Sequence, residues 1–177
     1  MAGMTPEFSR PFRLDELGTA PRNVAIEADE AERAALAKRF GLISVDSLSA
    51  KADLTREGDI VLATGSLAAE VMQACVASGD PVPATVREGF ALRFVPARAD
   101  QADQSADEVE LEEGDLDEIE YERSAIDLGE AAAQTLALAL DPFPRAPGAD
   151  ERLREAGVIG EEDAGPFAAL KALKDRI

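Results

Sequence analysis

Residues 117–147, DEIEYERSAIDLGEAAAQTLALALDPFPRAP, decide the fold: a charged strand leads into a capped, almost wholly apolar helix that prolines stop. Ile119 and Tyr121 alternate with Glu118, Glu120 and Glu122, the pattern of a strand with one wet face. Asp127 and Glu130 have capping-box spacing, in which each side chain satisfies a backbone N–H at the helix start, with Ile126 just outside. The helix therefore begins near Leu128, and residues 124–127 are read as the turn that feeds it. Leu128, Ala132, Thr135, Leu136 and Ala139 share a face that Ala133, Ala137 and Leu140 widen, so the helix is expected to be mostly buried. Pro142, Pro144 and Pro147 then impose an extended segment around Phe143 and Arg145.

Working outward, residues 7–14 read as a first strand in which Phe8 and Phe12 share a face and Pro11 calls for an edge. Val24, Ile26 and Ala28 alternate as a second strand. Asp29 and Glu32 repeat the capping-box spacing and open a helix through Phe40, with Lys38 and Arg39 at its negative end and Gly41 as its stop. Leu48, Ala50, Ala52 and Leu54 alternate with Ser49, Lys51 and Asp53, which marks a half-buried strand. A hairpin at residues 56–59 leads into 60–76, a run too long for one flat strand, in which Gly65 is read as a bulge or bend. After the turn at Gly79-Asp80-Pro81, Phe90, Leu92 and Phe94 share one face of the next strand, with Arg87 and Arg93 on opposite or flanking positions.

The chain has 177 residues, a formal charge of −18, no histidine and one cysteine, Cys75. That length suits one domain, and a lone cysteine makes no intramolecular disulfide, which favours a reducing compartment or simple indifference to redox state. No stretch approaches the roughly 20 apolar residues that span a bilayer, and the N-terminus has no signal-peptide core. A soluble, cytoplasmic protein is expected. Its charge opposes delocalised binding to nucleic acid or anionic membranes and favours basic partners. Residues 100–122 carry no lysine or arginine; residues 100–115 at least are expected to be disordered, since repulsion is large and little apolar area offsets ordering entropy.

Without histidine, a hydroxyl or thiol nucleophile lacks its imidazole base. Cys75 reads as a small buried hydrophobe, with no activating cation beside it in sequence. No phosphate loop, dinucleotide-binding glycine pattern, calcium loop or zinc-ligand set appears, so no cofactor is expected. Carboxylates could still hold magnesium, which keeps a magnesium-dependent enzyme acting on RNA as one alternative; an acidic nucleic-acid mimic is another. At the C-terminus, Phe167, Leu170 and Leu173 can lie together on a short helix beside Lys171, Lys174 and Arg176. Phe143, Arg145, Phe167, Leu170, Lys171 and Lys174 are the candidate partner-binding residues. Arg87, Arg93 and Arg98 form a second candidate basic patch for local RNA contact.

The IDL start at Ile126, Asp127 and Leu128, the LALAL ending at Leu140 with its prolines, and the terminal PFAALKALK over 166–174 resemble the YceD family, the large ribosomal RNA subunit accumulation proteins. The resemblance implies a noncatalytic role in accumulation or processing of large-subunit ribosomal RNA. Bacterial members are often encoded beside a large-subunit ribosomal protein, and the acidic charge suits a chain that shields a basic ribosomal protein or binds a pre-ribosomal particle. Many members resemble one another in a Cys-x-x-Cys turn, followed by His or Cys after the prolines. Here the turn is Cys75-Val76-Ala77-Ser78, and residues 146–151 contain neither His nor Cys, so no metal site is carried over.

The expected fold is α+β: an antiparallel sheet of about six strands, curled toward a barrel, packed by two main helices, with a short C-terminal helix. Residues 1–99 form the first part of one domain, 100–116 an acidic loop, 117–147 the segment completing that domain, and 148–177 a polar linker and the terminal helix.

Overall fold

A computed structural model describes residues 6–97, 117–122, 124–149, 151 and 153. The chain runs β1 (Pro11–Arg13), a 3-10 turn (Leu14–Glu16), β2 (Arg22–Glu27), α1 (Glu30–Phe40), β3 (Ser44–Glu57), β4 (Ile60–Ala74), β5 (Pro81–Pro96), β6 (Asp117–Tyr121), β7 (Ala125–Asp127) and α2 (Leu128–Ala139). It divides into two compact units, Met1–Met72 with Pro83–Leu140, and Gln73–Val82 with Asp141–Ile177. The acidic loop at 100–116 and the C-terminal helix at 166–177 lie outside the described residues.

In the first unit the period-two pattern around Leu48 makes β3 a strand with one buried face: Val45, Leu48, Ala50, Ala52 and Leu54 point inward. β3 pairs antiparallel with β2 and with β4, and the sheet order is β2-β3-β4-β5-β6. A bulge at Asp46 shifts the β3–β4 register between Val45 and Ser47. Gly65, expected to bend β4, instead sits in regular register opposite Ala52. Its lack of a side chain is needed for close approach, because a Cβ there would lie 2.0 Å from the Lys51 carbonyl oxygen and 2.9 Å from the Phe90 ring.

Two expectations about the sheet are corrected. The α+β class with two helices and a mostly antiparallel sheet holds, but where one sheet of about six strands curled toward a barrel was expected, the described strands form a sheet of five and a separate β1–β7 pair with no closed barrel among them. The sheet is also not wholly antiparallel, since β6 runs parallel to β5 with Leu92 opposite Asp117 and Pro96 opposite Tyr121. The long connection between β5 and β6 permits this return in the same direction, which a tight hairpin could not.

Local helix signals are realised in full at α1. Glu32 N–H donates to Asp29 Oδ1 at 2.9 Å, the Asp29 N–H donates to Glu32 Oε2 at 2.8 Å, and Gly41 ends the helix at φ 66°. At α2 half of the expected box forms. Asp127 Oδ1 accepts from the Glu130 N–H at 3.1 Å, while the Glu130 carboxylate turns to Arg39 of α1, two contacts of 2.8 Å each. Residues 125–127, expected as part of a turn, form β7 because β1 supplies a partner: Phe12 lies opposite Ile126. Phe8, Leu36, Leu54, Phe94, Ile126, Leu128 and Leu136 are all but inaccessible and belong to one core.

In the second unit, Gln73 Nε2 donates to the Asp141 carbonyl at 2.8 Å and the Val76 N–H donates to the Pro144 carbonyl at 2.9 Å. Those bonds hold the proline segment beside the turn that follows β4.

Replacing Gly65 with alanine is expected to cost about 3 kcal/mol, since backbone rather than a flexible side chain must yield; urea unfolding measures it. Asp127→Ala removes the cap and two further bonds, from Ser9 Oγ at 2.6 Å and the Arg10 N–H at 2.8 Å. It should also cost about 3 kcal/mol, read from the same transition.

Candidate functional site

α2 carries more apolar residues than one buried face can use, and the surplus reaches the surface. Leu138 is 86% exposed. Together with Ala131, Thr135 and Ala139 it forms one wall of a cleft of about 600 Å³, whose other walls are β5 from Glu88 to Leu92 and β6 from Asp117 to Ile119. Phe90, Leu92 and Ile119 give the cleft an apolar floor, and Glu88, Asp117 and Glu118 give it an acidic rim.

A second cleft of about 540 Å³ lies along β6, where the described lining includes Glu57, Asp59, Glu118 and Glu120 with Arg93 as the one basic residue among them. Arg93 Nη1 is 3.1 Å from Glu118 Oε1. Both linings are therefore net negative, which repels phosphate and concentrates cationic groups. Polar groups on the α2 wall are already satisfied: Thr135 Oγ1 donates to the Ala131 carbonyl, and Gln134 Nε2 donates to Glu130.

Of the candidate residues named from sequence, Phe143, Arg145, Arg87 and Arg93 are among the described residues. Phe143 is 73% exposed and Arg145 is exposed in the proline segment of the second unit. Phe167, Leu170, Lys171 and Lys174 lie outside the described residues, as does Arg98 of the second basic patch. Within that patch Arg87 is exposed and Arg93 is paired. Sequence reading missed the acidic clefts; the signals present were Leu138, placed off the buried stripe of α2, and the run of acids in β6.

Cys75 is buried and free. It packs with Ala146 and Ala149, flanked by Ala77 and Val82, as a small hydrophobe does. It is also an acceptor, which its sequence context did not reveal: the Ala146 N–H donates to its sulfur at 3.3 Å. That bond, foremost, holds the thiol below its ordinary range, at about 7. The Ser78 hydroxyl, which donates to the Asp80 carboxylate at 2.7 Å, contributes next. The N–H groups of Ala77 and Ser78 add to the effect, and burial opposes it.

Among the described residues, no group of three or more Cys, Asp or Glu side chains is placed to hold a metal ion, and no helix is long and apolar enough to cross a membrane. Residues 63–174 match the family model described as large ribosomal RNA subunit accumulation protein YceD. No curated protein and no solved structure matches the chain.

The Cys75 environment sets a pH dependence. Its folded pKa lies below the unfolded thiol value of about 8.5, so the unfolded chain binds more protons between the two and stability rises with pH there. The contribution is complete above the unfolded value and is lost as pH falls through about 7. Thiolate ultraviolet absorbance should titrate near that lower value in the native protein and near the higher one in denaturant, and Cys75→Ala should remove both signals.

Proposed function

Because the chain belongs to the YceD family, we propose that it is a noncatalytic ribosome-biogenesis factor that supports accumulation or processing of large-subunit ribosomal RNA. It does so by binding a basic ribosomal protein or a pre-ribosomal particle. The observation that carries this reading is the family match over residues 63–174. The formal charge of −18 supports a basic partner, as do the two acid-lined clefts beside β6.

The α2 cleft is the contact we favour for that partner. Its apolar floor offers area to bury, and Leu138 stands exposed at its wall. Its acidic rim speeds encounter and disfavours like-charged competitors more than it raises affinity. Phe143 and Arg145, with Phe167, Leu170, Lys171 and Lys174 of the terminal segment, form a separate candidate contact. The rim opposes phosphate, so any direct RNA contact belongs to the basic residues of that terminal segment rather than to the cleft.

The test is the ratio of precursor to mature large-subunit ribosomal RNA in a strain lacking the gene, complemented by variants. Full-length protein should restore the ratio. Leu138→Glu combined with Glu88→Lys and Asp117→Lys should fail to do so while circular dichroism shows a folded chain. The same triple variant should associate with purified large-subunit precursors about tenfold more slowly at low salt. A chain ending before Pro166 tests the terminal contact separately. If the strain shows a normal ratio, the proposed role is overturned; if the cleft variant restores it fully, the partner binds elsewhere.

A further inference from the structure

Two turns meet in the second unit. In the first, the Gly79 N–H donates to the Cys75 carbonyl and the Cys75 N–H donates to the Asp80 carbonyl, both at 2.8 Å, with Gly79 at φ 74°. In the second, the Ala149 N–H donates to the Ala146 carbonyl at 3.1 Å, with Gly148 at φ 75°. Each turn offers two positions three residues apart: Cys75 and Ser78 on one, Ala146 and Ala149 on the other. These four positions converge. Cys75, Ala146 and Ala149 pack in one buried cluster, and the Ser78 hydroxyl lies within hydrogen-bonding reach of the Cys75 sulfur.

Two facing turns with paired positions at this spacing form the frame of a four-ligand zinc site, which demands four sulfur or imidazole donors in a tetrahedron. The family resemblance implies such a metal, and the residues present do not fit it. One sulfur remains, the second position is a hydroxyl engaged with Asp80 at 2.7 Å, and the other two are methyl groups. Zinc would gain one thiolate, and neither alanine could contribute.

We propose that the second unit is a four-position metal frame that folds without metal, with the Cys75 sulfur joining the turns as a hydrogen-bond acceptor and Ala146 and Ala149 filling the remaining space. The N–H of Ala146 makes the join at 3.3 Å. The backbone of both turns is already in place, so the frame needs donor atoms alone to become a metal site.

The experiment compares the full chain with the variant Ser78→Cys/Ala146→Cys/Ala149→Cys under reducing conditions. Each is titrated with cobalt(II), and the intense thiolate-to-cobalt bands of a tetrahedral site are followed. The variant should take one cobalt per chain, release it to zinc, and melt at a lower temperature after chelation. The unaltered chain should show no such bands and melt at the same temperature with chelator, zinc or neither. Thiolate-cobalt bands in the unaltered chain, or a melt that falls on chelation, overturn the proposal. So does a triple variant that is folded by circular dichroism yet binds no cobalt, because the four positions then do not converge. If the triple variant aggregates, the unaltered chain decides alone: its metal-indifferent melt supports the proposal, and a metal-dependent one sinks it.

Discussion

The contact on which the first unit depends is the Asp127 carboxylate, because it joins the N-terminal segment to α2 where backbone groups of both need partners. Its oxygens accept from the Glu130 N–H, the Arg10 N–H and the Ser9 hydroxyl, while the Leu128 N–H donates to the Arg10 carbonyl at 3.1 Å. The fit leaves no room at Gly129, where a Cβ would lie 2.7 Å from the Phe8 carbonyl oxygen. The Arg10 side chain then reaches α1. It grips Glu32 with two contacts of 2.6 and 2.8 Å and raises its own pKa while lowering that of Glu32 through this bond. Arg39 of α1 repeats the device by holding Glu130 of α2 and Glu7 of the N-terminal segment. In a chain with twice as many acids as bases, these two arginines link both helices through one short strap.

That strap explains which parts of the fold were legible in the sequence. The α1 cap, the Gly41 stop and the alternation around Leu48 are written within a few residues of where they act, so spacing alone exposed them. Glu130 looks like a capping partner for the same local reason, yet Arg39 lies 91 positions away and offers a charge-assisted bond stronger than a backbone N–H can supply. β7 reads as a turn in the sequence because three residues carry too weak a pattern without β1 opposite. Gly65 reads as a bulge or bend because its real constraint, the backbone of β3 and the ring of Phe90, comes from other strands.

The candidate site was less legible, and the return of β6 shows why. β6 pairs with β5 only from Leu92 to Pro96, so the part of β5 from Glu88 to Ala91 flanks the cleft instead of carrying this partner. Leu138 stands beyond the stripe that α2 buries and faces that opening. Each half is ordinary by itself: an acidic strand, and an apolar helix with one residue too many. Their conjunction depends on a parallel pairing that no local pattern announces.

The second unit shows the opposite relation between sequence and structure. Ser78 and residues 146–151 supply no sulfur or imidazole donor beside Cys75, which the sequence displays directly, whereas the contact that joins the two turns has no local signature. A buried thiol next to a converging N–H costs the chain no coordination sphere, and it satisfies a backbone donor that alanine packing would leave without an acceptor. The same N–H depresses the thiol pKa, so the bond strengthens as the sulfur ionises. The unit is therefore sensitive to protons where a thiolate-zinc site would be sensitive to metal supply, since a metal-bound thiol has already lost its proton.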